Sequence, residues 1–168
     1  SAFMGSGLKK VDLKDNIVEI GYQAFAFCNA LKEIKIESQP NIKLGKDFFA
    51  CCRNLTKIDL SRCPIETVPF HSIFSCTLLE VIRISPSSTD LSHFYLSYLD
   101  HLKFLELKNG KPSIGFEIEG CNIDTLIINE ELYMADSIKG CQINNLIVFR
   151  SDTFTFAEYP TKINSNKI

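Results

Sequence analysis

Three apolar positions in the spacing Leu-x-x-Leu-x-Leu recur down the whole chain. The sets are Leu8/Val11/Leu13, Leu31/Ile34/Ile36, Leu55/Ile58/Leu60, Leu79/Ile82/Ile84, Leu102/Leu105/Leu107, Ile123/Leu126/Ile128 and Ile143/Leu146/Val148, and every position holds Leu, Ile or Val. Successive registers are 23, 24, 24, 23, 21 and 20 residues apart. The last two residues of each set lie two apart, so they share one face of a short strand. A single coil of this length cannot bury its own apolar face. Stacked coils can, through a parallel sheet with strands about 4.8 Å apart. The pattern therefore predicts strands near 8–13, 31–36, 55–60, 79–84, 102–107, 123–128 and 143–148 in about seven coils.

A second set of columns recurs between these strands. Ile20-Gly21-Tyr22-Gln23-Ala24-Phe25-Ala26-Phe27-Cys28 is matched by Leu44-Gly45-Lys46-Asp47-Phe48-Phe49-Ala50-Cys51-Cys52, and more loosely by Val68-Pro69-Phe70-His71-Ser72-Ile73-Phe74-Ser75-Cys76. Gly21 and Gly45 suit a turn that needs positive φ, whereas Pro69 in the same column demands a different turn. The Ala/Phe pair predicts a short helical or 3-10 turn on the convex side, with the ring filling the core between coils. Together the columns define a leucine-rich repeat. The expected fold is an α/β-type repeat solenoid: a right-handed leucine-rich-repeat coil with a concave parallel β-sheet and short helical, 3-10 or irregular convex segments.

The run from Ile17 to Ile36, read as I-x-x-I-G-x-x-A-F-x-x-C-x-x-L-x-x-I-x-I, resembles the BspA-like leucine-rich-repeat surface proteins of bacteria and protozoa. The likeness is strong over residues 17–60 and fair over 61–84. Over 85–148 it reduces to the strand pattern, with a shorter Gly-Cys-x-Ile-x-x-Leu-Ile unit at Gly120-Cys121 and Gly140-Cys141. The resemblance implies a cell-surface or secreted protein that binds other macromolecules. On that basis the chain is expected to be a non-catalytic protein-binding or adhesion module, with a host protein or a second copy as partner. The alternative is a structural spacer within a longer surface protein.

Composition narrows the classes. The chain has 168 residues, 45% hydrophobic and 23% charged, with a formal net charge of −2. One domain over 1–168 with an ample core follows. The acidic balance lacks the footprint of a nucleic-acid binder, and no apolar run approaches the roughly 18 residues of a membrane span. Monomer or weak dimer is expected. Ser1 to Gly7 read as a cut inside a larger protein or as residues of a tag. Residues 85–93 form the most loop-like interruption, and 149–168, with Phe149, Phe154 and Phe156, read as a C-terminal cap fading into a tail. Seven cysteines fall below the density of a disulfide scaffold, and their odd number leaves at least one unpaired. Free thiols suit a reducing cytoplasm, which stays open as a location beside the surface that the resemblance implies.

Candidate chemistry was tested against spacing. No metalloprotease, nucleophile-elbow, P-loop or dinucleotide motif is present. His71, His93 and His101 with Asp90, Ser92 and Asp100 form at most a triad-like cluster, and the residue types are common on repeat surfaces. Cys28, Cys52 and Cys76 recur once per coil, which stacks them in a line rather than around a tetrahedral ion. The expectation is buried free thiols acting as small hydrophobes, with disulfides between adjacent coils as an alternative. No catalytic residue, metal ligand or cofactor is expected. Asn54-Leu55-Thr56 is a glycosylation sequon of little weight.

Residues between the apolar strand positions point onto the concave face. The first column runs Lys10, Glu33, Lys57, Val81, Phe104, Thr125, Asn145; the middle one Asp12, Lys35, Asp59, Arg83, Glu106, Ile127, Ile147; the third Lys14, Glu37, Ser61, Ser85, Lys108, Asn129, Phe149. The first five members of the middle column alternate in sign, a ladder explained by pairing across strands. Val81, Phe104, Ile127, Ile147 and Phe149 then form a diagonal apolar area on the C-terminal half, the candidate protein-binding patch. Two other readings remain: the segment 150–168 folds over this area, or the area is neutral surface.

Overall fold

The computed structural model describes residues 1–14, 17–37, 41–69, 71–84, 89–92, 94–107, 110–111, 115–134, 137–149 and 157–159. Seven strands run in chain order through one sheet: β1 (Lys10–Lys14), β2 (Glu33–Glu37), β3 (Lys57–Arg62), β4 (Val81–Arg83), β5 (Leu102–Leu107), β6 (Asn122–Asn129) and β7 (Gln142–Phe149). Each is parallel to its neighbour. An eighth strand, β8 (Ala157–Tyr159), pairs antiparallel with Leu146–Val148 at the end of the stack. The described part of the tail thus extends the sheet at its edge. Phe154 and Phe156 lie outside the described residues.

Shorter parallel ladders run on the other sides of the coil. Glu19–Ile20 pairs with Lys43–Leu44, Thr89–Asp90 with Gly110–Lys111, and Tyr95–Ser97 with Glu117–Glu119, which in turn pairs with Ile138–Lys139. The result is a parallel-sheet solenoid with little helix. Among the described residues the α-helix is the single turn Glu130–Met134, where the Asn129 side chain accepts from the Leu132 N–H at 2.9 Å. Such a cap and the acidic first turn, Glu130 and Glu131, suit a helix N-terminus.

Nearly all of the apolar triplet positions are buried; the exceptions, Leu8 at 37% exposure and the half-buried Leu13, both belong to the first coil. Within residues 1–168 that coil packs against the following one, and in a one-dimensional stack burial comes from neighbouring coils. The phenylalanine column fills the space between coils: Phe3 stacks on Phe25 at 5.2 Å, Phe25 meets Phe49 at 5.9 Å, and Phe48 meets Phe49 at 4.2 Å. Phe3 N–H donates to Ala24 O and Gly5 N–H to Ala26 O. Ala2-Phe3 therefore occupies the place that Ala24-Phe25 takes one coil later, so these residues carry the repeat.

The turn before each inward cysteine has its own rule. Gly5, Phe27, Cys51, Ser75, Tyr98, Gly120 and Gly140 all have φ between 51° and 69°. They immediately precede Ser6, Cys28, Cys52, Cys76, Leu99, Cys121 and Cys141. The turns closed by Ala24 N–H to Gly21 O and Cys28 N–H to Phe25 O each hold a left-handed residue at their third position, Phe27 in the second and, in the first, Gln23 of a further left-handed group with Asp47 and His71. The convex segments are hydrogen-bonded β-turns rather than the expected short helical or 3-10 turns: among the described residues no 3-10 helix occurs, because a positive φ at the third residue of a turn cannot continue one.

Gly21 and Gly45 correct one expectation. Neither has positive φ. A Cβ on Gly45 would lie 2.4 Å from both Gly21 C and Tyr22 N, so the column is glycine because two backbones touch there. Gly45→Ala should cost about 1–3 kcal/mol, as overpacking against rigid backbone does. Gly21→Ala, whose Cβ would meet Glu19 Oε1 only at 3.9 Å, should change stability by less than about 1 kcal/mol. Urea denaturation of the two variants checks the contrast.

Candidate protein-binding surface

The concave columns fall in the register that the triplets imply. Lys10, Glu33, Lys57, Val81, Phe104, Thr125 and Asn145 are successive partners, as are Asp12, Lys35, Asp59, Arg83, Glu106, Ile127 and Ile147. The third column departs. Glu37 faces Arg62 rather than Ser61, because the register shifts between Lys35 and Glu37. The cause is local: Ser61 donates its N–H (3.2 Å) and its hydroxyl (2.6 Å) to Asp59 Oδ1, drawing the chain into a bulge. Ser85 and Lys108 of that column lie outside the described residues.

In the N-terminal half the charges satisfy one another. Glu33 is held between Lys10 and Lys57, both at 3.2 Å, and those two ammonium groups keep its carboxyl below the usual range. Lys35 pairs along its own strand with Glu37, whose other partner is Arg62 at 3.4 Å. The Lys35 hydrogen bond lowers the Glu37 pKa and raises that of Lys35. The middle-column alternation is thus partly diverted, since Lys35 turns to Glu37 rather than bridging Asp12 and Asp59. Asp59 is buried; burial pushes its pKa up, but the Ser61 hydrogen bonds and the charges of Arg83 and Lys57 outweigh it, and the net shift is downward.

Arg83 marks the boundary. Its guanidinium lies 3.8 Å from both Asp59 and Glu106 and 4.9 Å above the centre of the Phe104 ring, a cation–π contact. Beyond it the surface loses charge. Val81, Phe104, Ile127, Ile147 and Phe149 are all half-buried. Val81 is the cross-strand partner of Phe104, Ile127 of Ile147, and Phe149 of Asn129. Glu106 stands opposite Ile127, so the diagonal patch is two lobes rather than one sheet of apolar surface. Thr125, Asn129 and Asn145 border the second lobe, and Asn145 donates to Asp124 O at 3.1 Å.

The triad-like residues are not gathered. His71 sits on a convex turn, 4.0 Å from Asp47 and packed on Phe74, while Asp100 and His101 line a separate polar groove with Glu80, Lys103, Asn122 and Asp124. In that groove Lys103 pairs with Glu80 at 2.8 Å. Asp90 accepts from Ser92 N–H (2.9 Å) and hydroxyl (2.6 Å), a turn-forming arrangement. His93 lies outside the described residues. Asn54 of the sequon is exposed, and its amide donates to Asn29 O at 2.6 Å, spanning two coils.

The thiol column is more than small apolar filling. Cys28 donates to Phe3 O (3.0 Å), Cys52 to Phe25 O (3.0 Å) and Cys76 to Phe49 O (3.2 Å), each reaching the preceding coil. All seven cysteines are free, and among the described residues no cluster of potential metal ligands occurs. Sequence reasoning missed one surface altogether. Phe27, Phe74, Tyr95 and Tyr98 are exposed on the convex side, and both tyrosines donate to Glu119, at 3.1 and 3.3 Å. The signal was there for Phe27 and Tyr98: each occupies the position before the inward Cys or Leu, where a left-handed backbone turns the side chain outward.

The model of the BspA-type leucine-rich-repeat region matches this chain in six copies over residues 1–118. Searches of curated proteins and of solved structures returned no match. No helix among the described residues is long and apolar enough to cross a membrane.

Glu33, Glu37 and Asp59 have pKa values lowered on folding, so their contribution to stability is present above the unfolded carboxylate range and is lost as pH falls through the depressed values. Thermal stability should therefore decline progressively below about pH 4. Asp59→Asn should flatten that decline and cost roughly 1–2 kcal/mol at neutral pH, whereas Glu33→Gln, more exposed, should cost below about 1 kcal/mol. Melting curves across pH for the three proteins read both effects.

Proposed function

The chain belongs to the BspA-type leucine-rich-repeat family, and we propose that it is a non-catalytic protein-binding module of a cell-surface or secreted adhesion-type protein. The family is generally non-catalytic and surface-associated, and its repeats mediate protein interaction. The reading takes residues 1–168 as one solenoid of about seven coils and places recognition on Val81, Phe104, Ile127, Ile147 and Phe149. The observation that carries it is the change along the concave face. Before Arg83 the outward residues pair among themselves and leave little to offer a ligand. After it, half-buried apolar side chains stand among uncharged Thr125, Asn129 and Asn145. An apolar area bordered by neutral hydrogen-bonding groups suits a protein surface better than a nucleic acid or a charged small ligand.

A spacer role is the second reading, favoured by the self-paired charge rows over the first three strands, which are complete without any partner.

The test is light scattering across concentration together with binding to any identified partner protein, for wild type and for Ile127→Lys/Ile147→Lys. Loss of self-association or of partner binding in a folded double variant supports the site. Unchanged binding in the folded variant removes these residues from it. Global unfolding of the variant, read by circular dichroism, would mean that the two side chains are covered, and the assignment would fall.

A further inference from the structure

The cysteine column contains two kinds of thiol. Leu99 occupies the column between Cys76 and Cys121 and separates an upstream group from a downstream pair. Upstream, each thiol is directed at a carbonyl of the preceding coil, as for Cys52 on Phe25 O and Cys76 on Phe49 O. Downstream, both thiols still reach carbonyls, Cys121 that of Glu119 at 3.4 Å and Cys141 those of Lys139 and Ile118 at 3.5 and 3.6 Å, but here one cysteine also meets the other's sulfur: the Cys121 N–H donates to Cys141 Sγ at 3.4 Å. The register places them face to face: Glu119 pairs with Lys139 and Asn122 with Gln142, bracketing the two cysteines on adjacent coils. Neighbouring strands of one sheet stand about 4.8 Å apart, inside the ~4.4–6.8 Å window of Cα separations that a disulfide spans.

We propose that Cys121 and Cys141 are a reversible disulfide site that staples the last two parallel coils of the solenoid. The oxidant is a low-molecular-weight disulfide such as oxidised glutathione. The Cys141 thiolate attacks one glutathione sulfur, forming a mixed disulfide and expelling glutathione thiolate, which takes up a proton. Cys121 then gives its proton to solvent and attacks the Cys141 sulfur, expelling the second glutathione. Two protein thiols are oxidised by two electrons, and one glutathione disulfide is reduced to two thiols.

The order of attack follows from the surroundings. The nearness of the Cys121 side chain, with the Cys121 N–H donating to Cys141 Sγ, holds the Cys141 pKa down and favours its thiolate; the same nearness pushes Cys121 up. Burial pushes Cys52 up to about 12 and Cys76 higher still, so those two thiols stay protonated. Cys141 is 7% exposed and Cys121 fully buried. Reaction therefore waits on local opening of these two coils. The left-handed Gly120 and Gly140 immediately before the pair give both coils the same turn and present the two sulfurs in equivalent positions.

Peptide mapping of the native full chain after incubation with oxidised glutathione tests the proposal. Trypsin cuts after Lys139, between the two cysteines, so the crosslink joins two peptides that dithiothreitol separates. The expected result is a Cys121–Cys141 linkage several-fold more abundant than Cys28–Cys52 or Cys52–Cys76, with a melting temperature raised by roughly 5–10 °C. In Cys121→Ser, Cys141 should accumulate as the glutathione adduct; in Cys141→Ser, Cys121 should react at least about tenfold more slowly. Absence of the linkage in the wild type, or its equal distribution along the column, overturns the site. A linkage without a rise in melting temperature overturns the staple.

Discussion

The turn back into the stack governs this fold. In every coil one residue adopts a left-handed backbone immediately before the side chain that enters the core. Phe27, Cys51, Tyr98 and Gly120 also donate their N–H to the next coil, at 2.8–2.9 Å. The left-handed form costs an ordinary L-residue about 1–2 kcal/mol, and four non-glycine residues accept that cost. What offsets it is a hydrogen bond on the convex side and a buried residue on the inner one, repeated at each step. Without that reversal the inward cysteine would point to solvent and the concave strands could not lie in register.

Given the reversal, the rest follows by nearest-neighbour packing. Each coil touches the one before and the one after, through the concave sheet, the short ladders on the other sides, the phenylalanine stack and the thiol–carbonyl bonds. The first coil leaves Phe3, Met4 and Leu8 exposed. At the other end an antiparallel strand covers the edge of β7, which removes a row of unpaired backbone groups. Thiols serve this architecture well: a cysteine is small and apolar enough for a crowded column, yet its S–H adds a second hydrogen bond to a carbonyl of the preceding coil, which an alanine cannot.

The concave face is divided for an electrostatic reason. Over β1 to β3, carboxylates and cations are close enough to neutralise one another, so that surface is internally complete. Arg83 ends this regime, balanced between Asp59 and Glu106 and lying over Phe104. Past it, apart from Glu106 and Lys108, the same columns hold Ile, Phe, Thr and Asn. A binding partner that excludes water gains most where no ion pair has to be desolvated, which is why the apolar lobes, rather than the charged rows, carry the proposed recognition.

Period and register were legible in the sequence, because apolar residues at i, i+3 and i+5 admit one strand register, and stacking then fixes every neighbour. The inward triplets, the outward columns and the buried cysteines all follow from that count. The geometry within a coil was not legible. Gly21 and Gly45 looked like turn residues, yet glycine is required at Gly45 because two backbones meet there, a contact between residues 24 apart. Glu37 was expected opposite Ser61, but two short hydrogen bonds to Asp59 bulge the strand and bring Arg62 to it. Lys35 was expected to bridge strands, and its long side chain turned to Glu37. Arg83 settled over Phe104, and Glu106, opposite Ile127, split the apolar patch. Periodicity assigns a residue to a face; which partner its side chain reaches, and whether the backbone can bulge to meet it, is decided only when neighbouring coils are in contact.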